Sequence, residues 1–425
     1  MGFLVLAGFF VLFILGAPVV LAIALPAILY VFINHIPMEM ISQRLHYALN
    51  SYPLVAVPVF IFIGSLMNST GITQRIFKFA DTTVGRVYGG LAQVNIFASL
   101  IFAGMSGAAL ADVGGLGQIE IRAMEDKGFR PSFAAAVTIA SSTIGPIFPP
   151  SIPIIIYGAV AGVSVVKLLL GGILPAFISV VSLMLVTGFI SHHRNLPRSE
   201  RWSTLSEILR DLLPALPALL APVFLVFGML SGYFTPTEAA SITVIYILFI
   251  SRFVYRELTW QHFLRSSLET IKASCGILII VSVASLFGWI LAVEKIPRMF
   301  SEIVMVFGKN PWVVLLAVNV FLLIVGMFLD STTATILIVP MLAPPVVAAG
   351  VDPVHLGIVV VFNLMIGLVT PPMGLALFMA SDIAKISIQS VLRELWPFLL
   401  ALLAALMLVT YIPQLTLWIP GLVGK

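Results

Sequence analysis

The 425-residue sequence contains one cysteine, Cys275, and only 9% charged side chains. A single cysteine excludes an internal disulfide and a cysteine metal cluster. So small a charged share excludes an ordinary soluble domain, where about 25% of residues are charged. No G-x-x-x-x-G-K-S/T run is present, so the chain carries no phosphate cradle of that type for hydrolysing ATP. The formal charge of +4 comes from basic loops and makes no case for a nucleic-acid partner. Histidine is scarce, six in all, and five of them fall in loops or mixed connectors. What is abundant is apolar: 60% of residues, with a mean hydropathy of +1.14. The fold class that follows is an all-α polytopic membrane protein embedded in the lipid bilayer.

Within the apolar sequence one stretch stands out. Ile144–Pro150, IGPIFPP, returns as Ile366–Pro372, IGLVTPP, 222 positions later. The same offset carries Gly104-Met105 onto Gly326-Met327, Gly128 onto Gly350 and Pro131 onto Pro353. Glycine and proline are the residues that set backbone breaks, so the duplicated feature is a pattern of broken helices. Free N–H and C=O groups cost several kcal/mol each in hydrocarbon, and unwound backbone survives there only against protein or a polar cavity. Matching interruptions in two halves mark the midplane binding site of a transporter.

Laid out along the chain, residues 1–190 form a first inverted repeat, with a re-entrant hairpin at about 91–123 and a broken helix at about 132–162. Residues 191–211 are a basic cytoplasmic linker. Residues 212–425 form the second repeat, with a hairpin at about 313–349 and a broken helix at about 356–380. Gly2–Phe32 reads as one crossing, Ile41–Tyr52 as an interfacial segment, Leu54–Met67 as a short crossing and the stretch to Gly90 as a loop. Arg252–Lys272 reads as an amphipathic connector ahead of a crossing that ends near Val293, and Leu395–Ile419 as the last crossing. With His192–Arg201 in the cytoplasm, 16 Lys/Arg fall inside and six outside. That places the N-terminus in the cytoplasm and the C-terminus in the periplasm, and it inverts the repeats.

Polar groups at such depth are functional candidates by default. In the first repeat they are Ser106 and Gly107 at the hairpin tip, with Ser141, Ser142, Thr143 and Gly145 at the break. In the second they are Asp330, Ser331, Thr332 and Thr333 at the tip, with Asn363, Gly367 and Thr370 at the break. A tip meeting an unwound helix gathers carbonyls, hydroxyls and helix ends, a donor set suited to a hard cation such as Na⁺ and to a carboxylate. The expected Na⁺ ligands are Ser106, Gly107, Ser141, Gly145, Asp330, Ser331, Thr332, Thr333, Gly367 and Thr370. The expected substrate contacts are Ser106, Gly107, Ser142, Thr143, Pro146, Thr370 and Pro371. Asp330 is the acidic residue at a tip and the foremost charged ligand, a role compatible with capping the helix after it. Any single hydroxyl can instead bond back to its helix or join two helices. Asp112 and Glu120 read as approaching the wet base of the first hairpin. Gly104–Gly107 also fits the G-x-S-G motif of rhomboid intramembrane proteases, a reading that requires a histidine beside Ser106.

Four stretches carry a resemblance: SSTIGPIFPPSIPII at 141–155, GYFTPTEAA at 232–240, GMFLDSTTATILIVPML at 326–342 and TPPMGLALF at 370–378. On these the sequence resembles the large membrane subunit of tripartite ATP-independent periplasmic (TRAP) transporters. The resemblance implies an inner-membrane, Na⁺-coupled secondary importer with an elevator movement, and no enzyme. It also implies a small membrane (Q-type) subunit and a periplasmic substrate-binding protein that delivers an organic acid, of the sialic acid or C4-dicarboxylate kind. Relatives often have a Ser-Gly-Ser-like first tip; here it is Ser106-Gly107-Ala108, which removes a hydroxyl at 108. The runner-up is a stand-alone anion/cation symporter of the same architecture.

Overall fold

The computed structural model describes residues 1–197, 204–296, 298, 302 and 310–423; the side chains of Met105, Ser106, Leu230 and Val423 lie outside the described residues, as do Arg198 and Arg201 of the basic linker. The described residues form helices and no strands. Among the described residues, eight helices are long and apolar enough to cross a membrane. Helices are the open-ended way to bond every backbone group internally in hydrocarbon. Proline opens several of them at the first turn (Pro131, Pro236, Pro311, Pro353), where its missing N–H costs nothing.

The duplicated motifs organise the centre. Helix Leu91–Ser106 turns at Gly107 and returns as Ala109–Gly114 and Leu116–Asp126. Helix Pro131–Ser142 then stops, and the chain resumes helical form at Ile152–Ala161. In the second repeat, Pro311–Phe328 turns at Leu329-Asp330 and returns as Ser331–Ala348. Pro353–Leu368 stops and resumes as Leu375–Ile383. The repeats interlock: Ile152–Ala161 packs on Ser331–Ala348, and Leu375–Ile383 packs on Ala109–Gly114. Under the 222-residue offset these two contacts are one contact with the repeats exchanged. Every residue of Val354–Leu368 is buried, so this helix is core, enclosed on all sides.

Four segments differ from the sequence reading. Gly2–Phe32 is not one crossing but two helices, Gly2–Ile14 and Val19–Ile33, packed against each other. The Gly2 N–H and the Tyr30 hydroxyl both donate to the Glu294 carboxylate, at 2.8 Å each, so the open ends of the pair meet at one point. At 1.5 Å per residue the two helices are roughly 20 and 22 Å long, short of the ~30 Å hydrocarbon. Gly16, with φ of 83°, and Pro18 make the turn. It follows that Met1 and Lys295 share one end of the molecule, whereas the charge count had set them on opposite sides.

The stretch before Gly90 is not a plain loop, because Ile72–Val84 is an amphipathic helix. It buries Ile72, Thr73, Ile76 and Ala80, a stripe at three- and four-residue spacing. Its charges face neighbours, Arg75 to Glu257 and Lys78 to Asp211 at 3.0 Å. The connector expected at 252–272 merges with the crossing that follows: Trp260–Val293 is one continuous 34-residue helix. The last crossing ends at Tyr411, because Ile412 precedes Pro413 and is pushed out of helical geometry (φ −123°, ψ 81°). Gln414–Val423 is a separate helix that packs on Val165–Gly171.

Candidate functional site

Each hairpin tip docks on the break of its own repeat. The Ile152 N–H donates to the Gly107 carbonyl at 3.3 Å, and the Gly374 N–H donates to the Met327 carbonyl at 3.3 Å. Ile152 and Gly374 are equivalent under the offset. Gly107 is left-handed, φ 61°, and a Cβ there would lie 2.5 Å from the Pro150 carbonyl oxygen. Only glycine allows that approach without strain. The Pro149–Pro150 and Pro371–Pro372 peptide bonds are both cis. Ser151 caps the resumed helix by accepting from the Ile154 N–H at 3.2 Å, and its hydroxyl donates to the Pro146 carbonyl.

The break glycines mark close approaches. A Cβ on Gly367 would fall 2.6 Å from the Gly326 backbone, where the second hairpin lies directly on the second broken helix. A Cβ on Gly145 would fall 2.5 Å from Asp112 Oδ2. On the next crossing, a Cβ on Gly172 would reach the Ile147 carbonyl at 2.0 Å. The first break is thus enclosed by a hairpin and a crossing, and residues 143–147 are all buried. The second break is more open: Thr370 and Pro371 are half-buried, and Pro372 and Met373 are exposed.

The candidate hydroxyls split into two kinds. Ser142, Thr143 and Thr370 bond back to the carbonyls of Ile139, Ala140 and Ile366, at 2.9, 2.7 and 2.6 Å. Directing the proton at the helix leaves the oxygen lone pairs to accept, which is the polarity a cation requires. Ser141 is directed at the Thr138 carbonyl as well, at 3.0 Å, and also joins two helices. It donates to Asn95 Oδ1 at 2.7 Å and accepts from Ser99 at 3.0 Å, while Asn95 donates to Thr138 at 2.7 Å. Asp330 caps helix Ser331–Ala348, accepting the Thr333 N–H at 3.1 Å and the Thr333 hydroxyl. Ser331 is buried beside it and Thr332 is half-buried. The Ser106 side chain lies outside the described residues.

Helices Ile152–Ala161 and Leu375–Ile383 begin at the breaks and Ser331–Ala348 at a tip, so three positive helix ends are directed toward the two tip–break junctions. Among the described residues no three of His, Cys, Asp and Glu gather as a metal centre. Beside the carboxyl groups of Asp330 and Asp112, the junctions offer neutral oxygens and N–H groups, a set for an alkali cation or an organic anion.

Asp112, Glu120, Asn319 and His355 were not among the candidate ligands read from the sequence, and all four are buried. Asp112 and Glu120 are not at a wet base; they are 6% and 1% exposed. Glu120 shares the buried stripe Leu116, Gly117, Glu120, Ile121, Met124, a spacing that marked it as inward-facing. In the second repeat Asn363 donates to Asn319 Oδ1 at 2.8 Å, and Asn319 donates to Thr410 at 3.0 Å. His355 donates from Nε2 to the Thr410 carbonyl at 3.1 Å, and its Nδ1 lies 2.8 Å from Thr416 Oγ1. His355, the histidine that the sequence sets outside loops and mixed connectors, is therefore engaged within the second repeat.

Residues 6–415 match the family described as the tripartite ATP-independent periplasmic transporter, DctM component. The chain is 41% identical to the sialic acid TRAP transporter large permease protein of Vibrio cholerae, over 98% of this chain and 97% of that one. It is 36% identical to the C4-dicarboxylate TRAP transporter large permease protein of Pseudomonas aeruginosa, over 88% and 87%. To the isethionate TRAP transporter permease protein of Oleidesulfovibrio alaskensis it is 34% identical, over 98% of this chain and 66% of that longer one. Among solved structures it resembles the Alcanivorax borkumensis YdaH transporter, with a TM-score of 0.66, 13% identity and 88% of each chain covered. That likeness is one of fold alone.

Proposed function

The chain belongs to the DctM family, the large membrane subunit of tripartite ATP-independent periplasmic transporters, and on that premise we propose that it imports an organic acid by sodium-coupled elevator transport. The observation that carries the proposal is the doubled junction, each tip bonded to its own break at equivalent donors. Cation and anion are bound there by outward lone pairs and helix ends, Asp330 supplying the charge. The interlocked hairpins and broken helices move as one body against the remaining helices. Relatives named for sialic acid, C4-dicarboxylate and 2,3-diketo-L-gulonate support a carboxylate cargo. A periplasmic binding protein delivers it, and a small membrane subunit completes the complex; the extra length of the Oleidesulfovibrio relative supports a partner that is fused in that chain. The protein sits in the inner membrane with residues 192–211 in the cytoplasm. The meeting of Gly2 and Tyr30 at Glu294 supports an N-terminus on the same side as Glu294, a side this proposal takes as periplasmic together with the C-terminus.

The test is uptake into proteoliposomes holding the complete complex. An inward sodium gradient should drive it, and a proton gradient without sodium should not. Substantial uptake under the proton gradient alone would falsify the sodium assignment.

A further inference from the structure

A cavity of about 420 Å³, whose lining shares no residue with either junction, lies between helix Glu39–Leu49 with the turn after it, the long helix Trp260–Val293, and the facing surfaces of Ile152–Ala161 and Ser331–Ala348. Its size falls in the range of roughly 300–1,000 Å³ that holds a small organic ligand. Its lining is ordered by polarity. Tyr47 and Asn50 are exposed and Ser51 is half-buried, and together they form a neutral hydrogen-bonding mouth. Leu54, Ala284 and Ile336 form the floor, at 3–4% exposure. None of the described residues lining it is charged.

These features fix the chemistry of an occupant. An anion inside would lose its hydration with no counter-charge among the lining residues, at a cost of several kcal/mol, so this is not a second place for the carboxylate cargo. A chain alone would leave the mouth's hydroxyl and amide groups without use. We propose that the cavity binds an uncharged amphiphile, an alkyl or acyl chain with a hydroxyl-bearing head: the chain lies on Leu54, Ala284 and Ile336, and the head bonds Tyr47, Asn50 and Ser51. Two walls belong to the interlocked repeats and two do not, so an occupant bridges them. That consequence for uptake, though not the binding itself, rests on the elevator reading given under Proposed function.

The experiment uses Ser285, a half-buried lining residue, as a reporter. In a Cys275→Ala background, Ser285→Cys is labelled with a maleimide in lipid nanodiscs, with 1-decanoylglycerol as the neutral probe and sodium decanoate as its charged counterpart. At ten times its half-saturating content the neutral probe should slow labelling by about tenfold, as simple occupancy requires. Decanoate should leave labelling unchanged, and Ala284→Leu, which fills the floor, should remove the protection. Equal protection by decanoate, or none by the neutral probe, overturns the site. In the complete complex the neutral probe should also slow uptake, and Ala284→Leu should abolish that effect. Protection without slower uptake would leave the site standing and refute the relative movement of its walls.

Discussion

Gly107→Ala tests whether the tip–break contact matters. Alanine at this position meets two penalties. Left-handed backbone costs a non-glycine residue about 1–2 kcal/mol. The new methyl would then lie 2.5 Å from the Pro150 carbonyl oxygen, and overpacking of this kind typically costs about 1–3 kcal/mol more. Gly162→Ala separates the two. Gly162 has a similar φ, 68°, with nothing within 4 Å of its Cβ position, so it bears only the backbone term. The difference between the variants should therefore be about 1–3 kcal/mol, roughly a five- to 150-fold shift in the docked fraction. Uptake by the reconstituted complex should fall steeply for Gly107→Ala and little for Gly162→Ala, while thermal unfolding in nanodiscs ranks them in the same order. If the two variants behave alike, the docking of tip on break is not what transport uses.

Three further outcomes follow from the same geometry. Asp330→Asn should weaken the sodium dependence of uptake while the protein still folds, since asparagine caps as well as aspartate; Thr332→Ala and Thr333→Ala should act in the same direction more weakly, and an unchanged sodium requirement refutes the role. Asn319→Ala should destabilise the fold by about 1–3 kcal/mol, because it strands buried amide and hydroxyl partners at Asn363 and Thr410; a variant unfolding at the wild-type temperature would show the relay to be dispensable. The Glu294 carboxyl is held below its ordinary value, chiefly by the Gly2 N–H and then by the Tyr30 hydroxyl. Its anchoring of the N-terminal helices is therefore complete above the ordinary carboxylate value of about 4.3 and is lost as pH falls through the lowered one; proteolysis of residues 1–33 should rise in acid, and Glu294→Gln should lose that pH dependence.

The parts of the architecture that were legible in the sequence are those where a residue dictates the backbone. Pro149 and Pro371 fix the backbone, and Gly145 and Gly367 leave room for a close neighbour, so two copies of one spacing announced two copies of one break. Hydropathy dictates length and not path. It counted Gly2–Phe32 as one span, although Gly16 and Pro18 were the punctuation that folds it back. Charges misled in the opposite way. Arg75 and Lys78 suggested a loop, while the four buried positions between Ile72 and Ala80 recorded a helix with one apolar face. At the junctions, the sequence offered the right residue types but not their partners. Ser141 with Asn95 and Asn363 with Asn319 are 46 and 44 positions apart, and no local pattern encodes such pairings.

The repeats share their bends and not their chemistry. Under the 222-residue offset, Ala108 stands where Asp330 stands, and Asp112 where Ala334 stands. Each repeat thus has a carboxylate just past its tip, displaced by four residues, one helical turn on the same face. Asp330 closes the end of its own helix, whereas Asp112 is set against Gly145 in the break. The glycines diverge likewise: Gly326 lies on Gly367, but Gly104 lies on Pro222 of a helix outside the duplicated core. Backbone symmetry repeats the interlocking contact in both halves, and unequal carboxylates make its two junctions chemically different. The exposure of the breaks follows the same division, the first enclosed by Asp112 and Gly172, the second open at Pro372 and Met373. A carrier needs both properties together. On the proposed function, equivalent bends would supply the alternation and inequivalent junctions the order in which ion and cargo are held.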